Sequence, residues 1–193
     1  MDRVEPPKEP TLIERLRASP VTVALFAINA VVFLIAESKG STTENATLIR
    51  FGAVEPLHVW SGEYWRLGSY MFLHIGWIHL LWNTAMGFSM CTVLERVIGR
   101  WRFLALYLVS GIAGGAATTL VTAPVISAGA SGALFGIIGA LLALRRRRLP
   151  SWSAATRDPM MRSTLFQLAL FVGITMIPQF GLHLNHRAHF GGM

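Results

Sequence analysis

Ser131 lies in the run Ala128-Gly129-Ala130-Ser131-Gly132-Ala133-Leu134-Phe135-Gly136, a stretch of small residues at the start of an apolar segment. Gly132 and Gly136 form a G-x-x-x-G pair, which by itself implies close helix packing. A hydroxyl near a helix N-terminus also has a second use. Backbone N–H groups at that end can hold an oxyanion while the serine acts as nucleophile. Such a serine needs a base, and histidine is the usual one. His189, in Arg187-Ala188-His189-Phe190-Gly191-Gly192, is a candidate because its glycines would let it approach a small-residue surface, although a structural histidine fits the same residues. A third cluster is His74-Ile75-Gly76-Trp77-Ile78-His79-Leu80-Leu81-Trp82-Asn83. His79 and Asn83 are four apart and share a helix face, whereas His74 faces elsewhere or precedes the helix. Three histidines also raise a zinc reading. The Glu of H-E-x-x-H is missing, so paired donors for an oxyanion suit His79 and Asn83 better, and no metal or cofactor is expected.

These residues need elements to hold them, and the composition says which. Of 193 residues 53% are hydrophobic and 14% charged, against roughly 25% charged in an ordinary soluble domain. A membrane protein is expected. The apolar segments Pro20 to Ala36, Gly76 to Val93, Trp101 to Val121, Ser127 to Leu144 and Thr164 to Leu182 are each near the ~20 residues that cross a bilayer, and a sixth begins at about His186. The net charge of +7 and the run Arg145 to Arg148 read as topology signals rather than as a nucleic-acid patch. Counted on alternating sides, thirteen Lys and Arg fall with the N-terminus and four on the other side, which places the N-terminus inside. All six histidines and Ser131 then fall in one outer layer. Polar groups there are functional suspects, since burying them in lipid is costly. The only aspartates, Asp2 and Asp158, lie on the inner side, and Glu37, Glu44, Glu55 and Glu63 lie in the long first loop. An aspartate dyad is excluded and a Ser-His-Asp triad has no third member, so a Ser-His dyad is what the residues permit. The single Cys91 lies in an apolar segment without a neighbouring base and is assigned to packing.

Together these motifs resemble those of the rhomboid family of intramembrane serine proteases. The resemblance covers about Tyr64 to Met193 and rests on an ordered set: Trp65-Arg66, His74-x4-His79-x3-Asn83, Glu95 with Gly99, Gly129-Ala130-Ser131-Gly132, and Ala188-His189-Phe190-Gly191-Gly192. It implies that Ser131 is the nucleophile and His189 the base, with His79, Asn83 and the Ser131 backbone N–H forming the oxyanion hole. Trp65, Arg66, His74, Glu95, Gly129, Gly132, Phe135 and Gly192 are implied as structural positions. The implied fold is all-α: a polytopic membrane bundle with a six-helix core whose last helix is incomplete here, with 1–19 a short cytosolic lead-in and 20–193 the membrane domain. The fifth helix resembles a lateral gate, with Gly173 and Pro178 available to bend it. Implied partners are transmembrane protein substrates and the lipid bilayer, in a bacterial inner membrane, with no nucleic acid.

Two residues depart from the family pattern. Phe135 stands where many members have a Tyr stacked on the catalytic histidine. Many members have Glu-x-Arg after the second helix; here Arg96 directly follows Glu95 and Val97 takes the usual place of the Arg, so the inner-surface ion pair is not expected in its usual form. The alternative reading is a rhomboid-like pseudoprotease that binds membrane clients without cutting them. A channel or transporter would need a polar path through the bilayer, whereas here the polar residues stop in the outer layer.

Overall fold

Apolar residues face both ways on the long helices. In α2 (Pro20–Lys39) one face buries Leu25, Phe26, Phe33 and Ala36, yet Ile28, Val31, Leu34 and Ile35 on the other faces are exposed. The same holds for α6 (Gly76–Ile98), which exposes Trp77, Ile78 and Leu81, and for α7 (Arg100–Thr118), which exposes Val109 and Ile112. Water would not tolerate an outer surface of this kind; lipid does. By length and apolarity alone, only α2 among the described helices qualifies as a free-standing span. The others fall short for physical reasons. α6 carries His79, Asn83 and Thr84, while α8 (Ser131–Arg147) has 17 residues and ends in arginines.

The computed structural model describes residues 11–120 and 125–175. Among these, the elements preceding the bundle are α1 (Leu12–Arg17) and, between α2 and α6, the short helices α3 (Asn45–Phe51), α4 (Pro56–Trp60) and α5 (Arg66–Ser69), with a 3-10 turn at Tyr70–Phe72. Beyond α8 come α9 (Trp152–Arg157) and α10 (Pro159–Thr175). Strand pairing among the described residues is limited to one antiparallel bridge, Val54 with Ser127. The all-α expectation is met.

Several boundaries differ from the hydropathy reading. Within the lead-in Thr11 and Glu14 form a capping box that starts α1, and buried Ser19 donates to the Thr92 carbonyl at 3.2 Å. α2 runs on to Lys39, so Glu37 belongs to its last turn rather than to the loop, and it accepts from the Thr42 amide at 2.8 Å. α8 starts at Ser131, not Ser127, because residues 127–130 are held by the Val54 bridge and by Gly129 at φ +140°. α10 starts at Pro159, five residues before Thr164, because Asp158 caps it by accepting from the Met161 amide at 2.9 Å. The later part of the expected gate, with Pro178, and the expected sixth segment lie outside the described residues.

Packing in the bundle depends on small residues. Gly87 of α6 lies against Leu134 of α8, Gly111 of α7 against Met71, and Gly115 against Tyr70; a methyl group on any of the three would sit under 3 Å from its neighbour. Residues 131–138 of α8 are all buried, which makes its first half the centre of the bundle. One end of the bundle is basic. There Glu95 of α6 accepts from the Val21 amide (3.0 Å), the Thr22 amide (2.8 Å) and the Thr22 hydroxyl (2.7 Å) at the start of α2. Arg145 of α8 pairs there with Asp158. Glu95 therefore spends its charge on a helix N-terminus, where backbone N–H groups attract a carboxylate. Arg96 turns back to the Thr92 carbonyl at 3.1 Å.

Candidate active site

The opposite end of the bundle holds His74, His79, Asn83 and Ser131, all buried. Ser131 is the first residue of α8, so the backbone N–H groups of that helix's first turn point out of its end toward whatever lies beside the serine. His79 is on the first turn of α6. Its Nδ1 accepts from the Ile75 amide at 3.3 Å, which assigns the proton of the neutral ring to Nε2. That Nε2 is buried and has no partner among the described residues. It lies against Gly129, two residues before the serine: a methyl group built on Gly129 would be 2.7 Å from Cε1 and 3.0 Å from Nε2 of His79. One turn further along α6, Asn83 donates from Nδ2 to the His79 carbonyl at 3.0 Å. The amide nitrogen has a second hydrogen for another acceptor. A donor that is buried and unsatisfied costs roughly 1–3 kcal/mol, so such a group belongs where a ligand will complete it.

His74 precedes α6, as one of the two sequence options held, and its ring meets His79 edge-on at 5.3 Å between centroids. Phe135 stacks edge-on against Phe171 of α10 at 5.4 Å, which ties the serine's helix to the one resembling a gate. Gly132 is buried on the first turn of α8. His183, His186, His189 and Gly192 lie outside the described residues.

The residues implied as structural act as braces for this end. Arg66 donates from Nη1 to the carbonyls of Ile49 (2.7 Å) and Ala53 (3.1 Å), and from Nε to Glu63 (2.8 Å). Its guanidinium also stacks on Trp65 at 4.7 Å. These bonds close the α3–α5 loop, and Trp65 presses on Gly52, whose φ of +100° ends α3. Within the same loop Glu55 accepts from both the backbone and the ring of His58. Burial pushes the Glu55 carboxyl up, but the bonds and charge of His58 together outweigh it and leave it below its ordinary value.

Two contributors were missed. The Tyr70 carbonyl accepts from the Gly129 amide at 2.9 Å, and the Tyr70 hydroxyl donates to the Gly111 carbonyl at 2.7 Å. Tyr70 therefore fixes the strand-like entry to Ser131 against α7. The spacing of Gly111 and Gly115 was the available signal, since a G-x-x-x-G face calls for something bulky to sit on it. Thr42 was the second omission, its hydroxyl accepting from the Gly76 amide at 3.2 Å at the start of α6.

Helices apolar on both faces, with buried polar side chains converging at one end, define a polytopic membrane protein with a site sunk in its bundle. Residues 61–193 match the family model of the Rhomboid domain. The chain belongs to the rhomboid family and is an integral membrane protein. It is 44% identical over 130 residues to rhomboid protease GluP of Bacillus subtilis, covering 66% of this chain and 25% of that one. Two proteins of Arabidopsis thaliana are also similar. RHOMBOID-like protein 5 is 34% identical over 148 residues, covering 76% of this chain and 46% of its own length. RHOMBOID-like protein 2 is 36% identical over 152 residues, covering 77% and 45%. The chain thus spans from a quarter to just under half the length of these relatives.

Proposed function

We propose that this protein is an intramembrane serine endopeptidase acting on transmembrane proteins in its own bilayer. The observation that carries the reading is the buried Nε2 of His79, without a partner among the described residues and set against Gly129 at the entry to Ser131. Ser131 Oγ attacks the scissile carbonyl carbon and His189 takes the hydroxyl proton. The oxygen of the tetrahedral intermediate accepts hydrogen bonds from His79 Nε2, from the second hydrogen of Asn83 Nδ2 and from the Ser131 amide. Collapse breaks the C–N bond, His189 returns the proton to the leaving amine, and water then hydrolyses the acyl-enzyme by the same route in reverse order. No third triad member is needed for the proton's path, only for the orientation of the base.

The basic end faces the cytosol of a bacterial cell, with 1–19 as a cytosolic segment and 20–193 as the membrane domain. The serine end lies toward the outer surface. Arginines of the α6–α7 junction and of the α8–α10 turn support this orientation, since Lys and Arg concentrate in cytoplasmic loops.

A fluorophosphonate probe on the membrane-embedded protein tests the reading. Labelling is expected at Ser131, located by mass spectrometry, and is expected to vanish in His189→Ala. A probe that fails to label Ser131 in folded protein would favour a client-binding pseudoprotease instead.

A further inference from the structure

At the basic end, between α8, α9 and α10, lies a cavity of about 350 Å³ that the proteolytic reading leaves unused. Its walls include Leu142 of α8, Ala155 of α9, and Met161 and Leu165 of α10; Arg146 and Trp152 complete them. Arg146 is held in place by two contacts. Its guanidinium stacks on Trp152 at 4.3 Å and its Nη1 donates to the Leu149 carbonyl at 3.1 Å. Its Nε is buried and has no partner among the described residues. A cation held by these two contacts therefore borders an apolar crevice, and a guanidinium so placed suits an anionic oxygen at the crevice mouth.

Two more features bear on the source of that oxygen. Trp152 is 74% exposed on a six-residue helix, the position of a side chain that settles at headgroup level. Residues 145–162 hold six arginines and one carboxylate, Asp158, which Arg145 already occupies. Arg147, Arg148 and Arg157 of the same segment are exposed. Apolar walls suit methylene groups, not a hydrated inorganic ion, and a basic pocket between helices at a membrane surface suits a lipid phosphate.

We propose that this crevice binds an anionic phospholipid of the surrounding membrane. Its acyl chain lies along Leu142, Met161 and Leu165, and its phosphate sits at Arg146, with the neighbouring arginines adding attraction. The site is independent of the Ser131 end and stands whether or not the protein cleaves.

The test uses the full chain in phosphatidylcholine vesicles, with brominated phosphatidylglycerol or brominated phosphatidylcholine added in steps. The Trp152 signal is the difference between wild type and Trp152→Phe. Half-quenching is expected at an about fivefold lower fraction of phosphatidylglycerol than of phosphatidylcholine. Arg146→Gln should remove that preference, whereas Arg102→Gln, a basic-end arginine outside the crevice, should leave it. Equal quenching by the two lipids overturns the proposal. So does a preference that survives Arg146→Gln, or one that Arg102→Gln removes equally, since that is general attraction to a basic surface. Competition by millimolar glycerol 1-phosphate would reassign the pocket to a free phosphate and would also overturn it.

Discussion

Gly129 and His79 touch so closely that no side chain fits between them: a Cβ on Gly129 would lie 2.7 Å from His79 Cε1. The glycine also sits at φ +140°, where an L side chain is strained by about 1–3 kcal/mol. Gly129→Ala is therefore expected to push the His79 ring away from the serine and cut turnover by about 100-fold, the loss of one oxyanion donor. Gly62→Ala is the control. Gly62 is at φ +106° with nothing within 4 Å, so it carries the backbone strain without the collision. Cleavage assays on both variants at matched folded fraction separate the two effects; equal activity would show that the close contact has no catalytic part.

Ser131→Ala and His189→Ala are each expected to abolish cleavage of a transmembrane substrate while leaving the protein in the membrane. Residual activity in the double variant should match that of either single one, because nucleophile and base act as a unit. Turnover near that of wild type in either variant would exclude the dyad.

For His79→Ala and Asn83→Ala the expectation is graded: roughly 100-fold to 1000-fold slower chemistry for each, with smaller changes in substrate affinity. Single-turnover kinetics read this directly. His79 also accepts from the Ile75 amide, so its removal should loosen the start of α6, and hydrogen exchange at Ile75 should rise in His79→Ala but not in Asn83→Ala.

How much of this was legible in the sequence depends on the reach of each interaction. His79 and Asn83 are four apart, and Gly132 and Gly136 likewise, so periodicity alone placed each pair on one face. Charge counting put Ser131 and the described histidines at the end opposite to Arg145. What stayed hidden was the set of bonds joining distant segments. Tyr70 to Gly129 spans 59 positions and Glu95 to Thr22 spans 73, and neither has a local pattern to announce it. The start of α8 was misplaced for the same reason: the apolar run begins at Ser127, but Val54 pairs with that residue and holds it out of the helix.

Glu95 makes a stability prediction separate from catalysis. Its carboxylate satisfies two backbone amides and one hydroxyl at the N-terminus of α2, where Ser19 makes no side-chain cap of its own. Glu95→Ala leaves those donors buried, at a cost of about 2–4 kcal/mol. Glu95→Gln keeps one acceptor and should lose about half as much. Unfolding in detergent gives the values, and the activity of the remaining folded molecules should be unchanged. A destabilisation no larger than that of an exposed substitution would show that the cap contributes nothing.

Asp158 supplies a pH test. The Arg145 guanidinium, followed by the Met161 amide, holds its carboxyl at about 2, against about 3.9 for an unfolded aspartate. A carboxyl depressed in the folded state stabilises fully above its unfolded value, and the contribution is lost as pH falls toward the folded one. The stability difference between wild type and Asp158→Asn is thus expected to stay constant from about pH 8 to about pH 5, to shrink below about pH 4 and to lose its titrating part as pH falls through about 2. Thermal unfolding of both proteins across that range measures it. Since Asp158 both pairs with α8 and caps α10, the variant should also speed hydrogen exchange at the Met161 amide at neutral pH. A difference that persists undiminished at about pH 2, or exchange at Met161 unaltered by the substitution, would mean that the ion pair does not brace the start of α10.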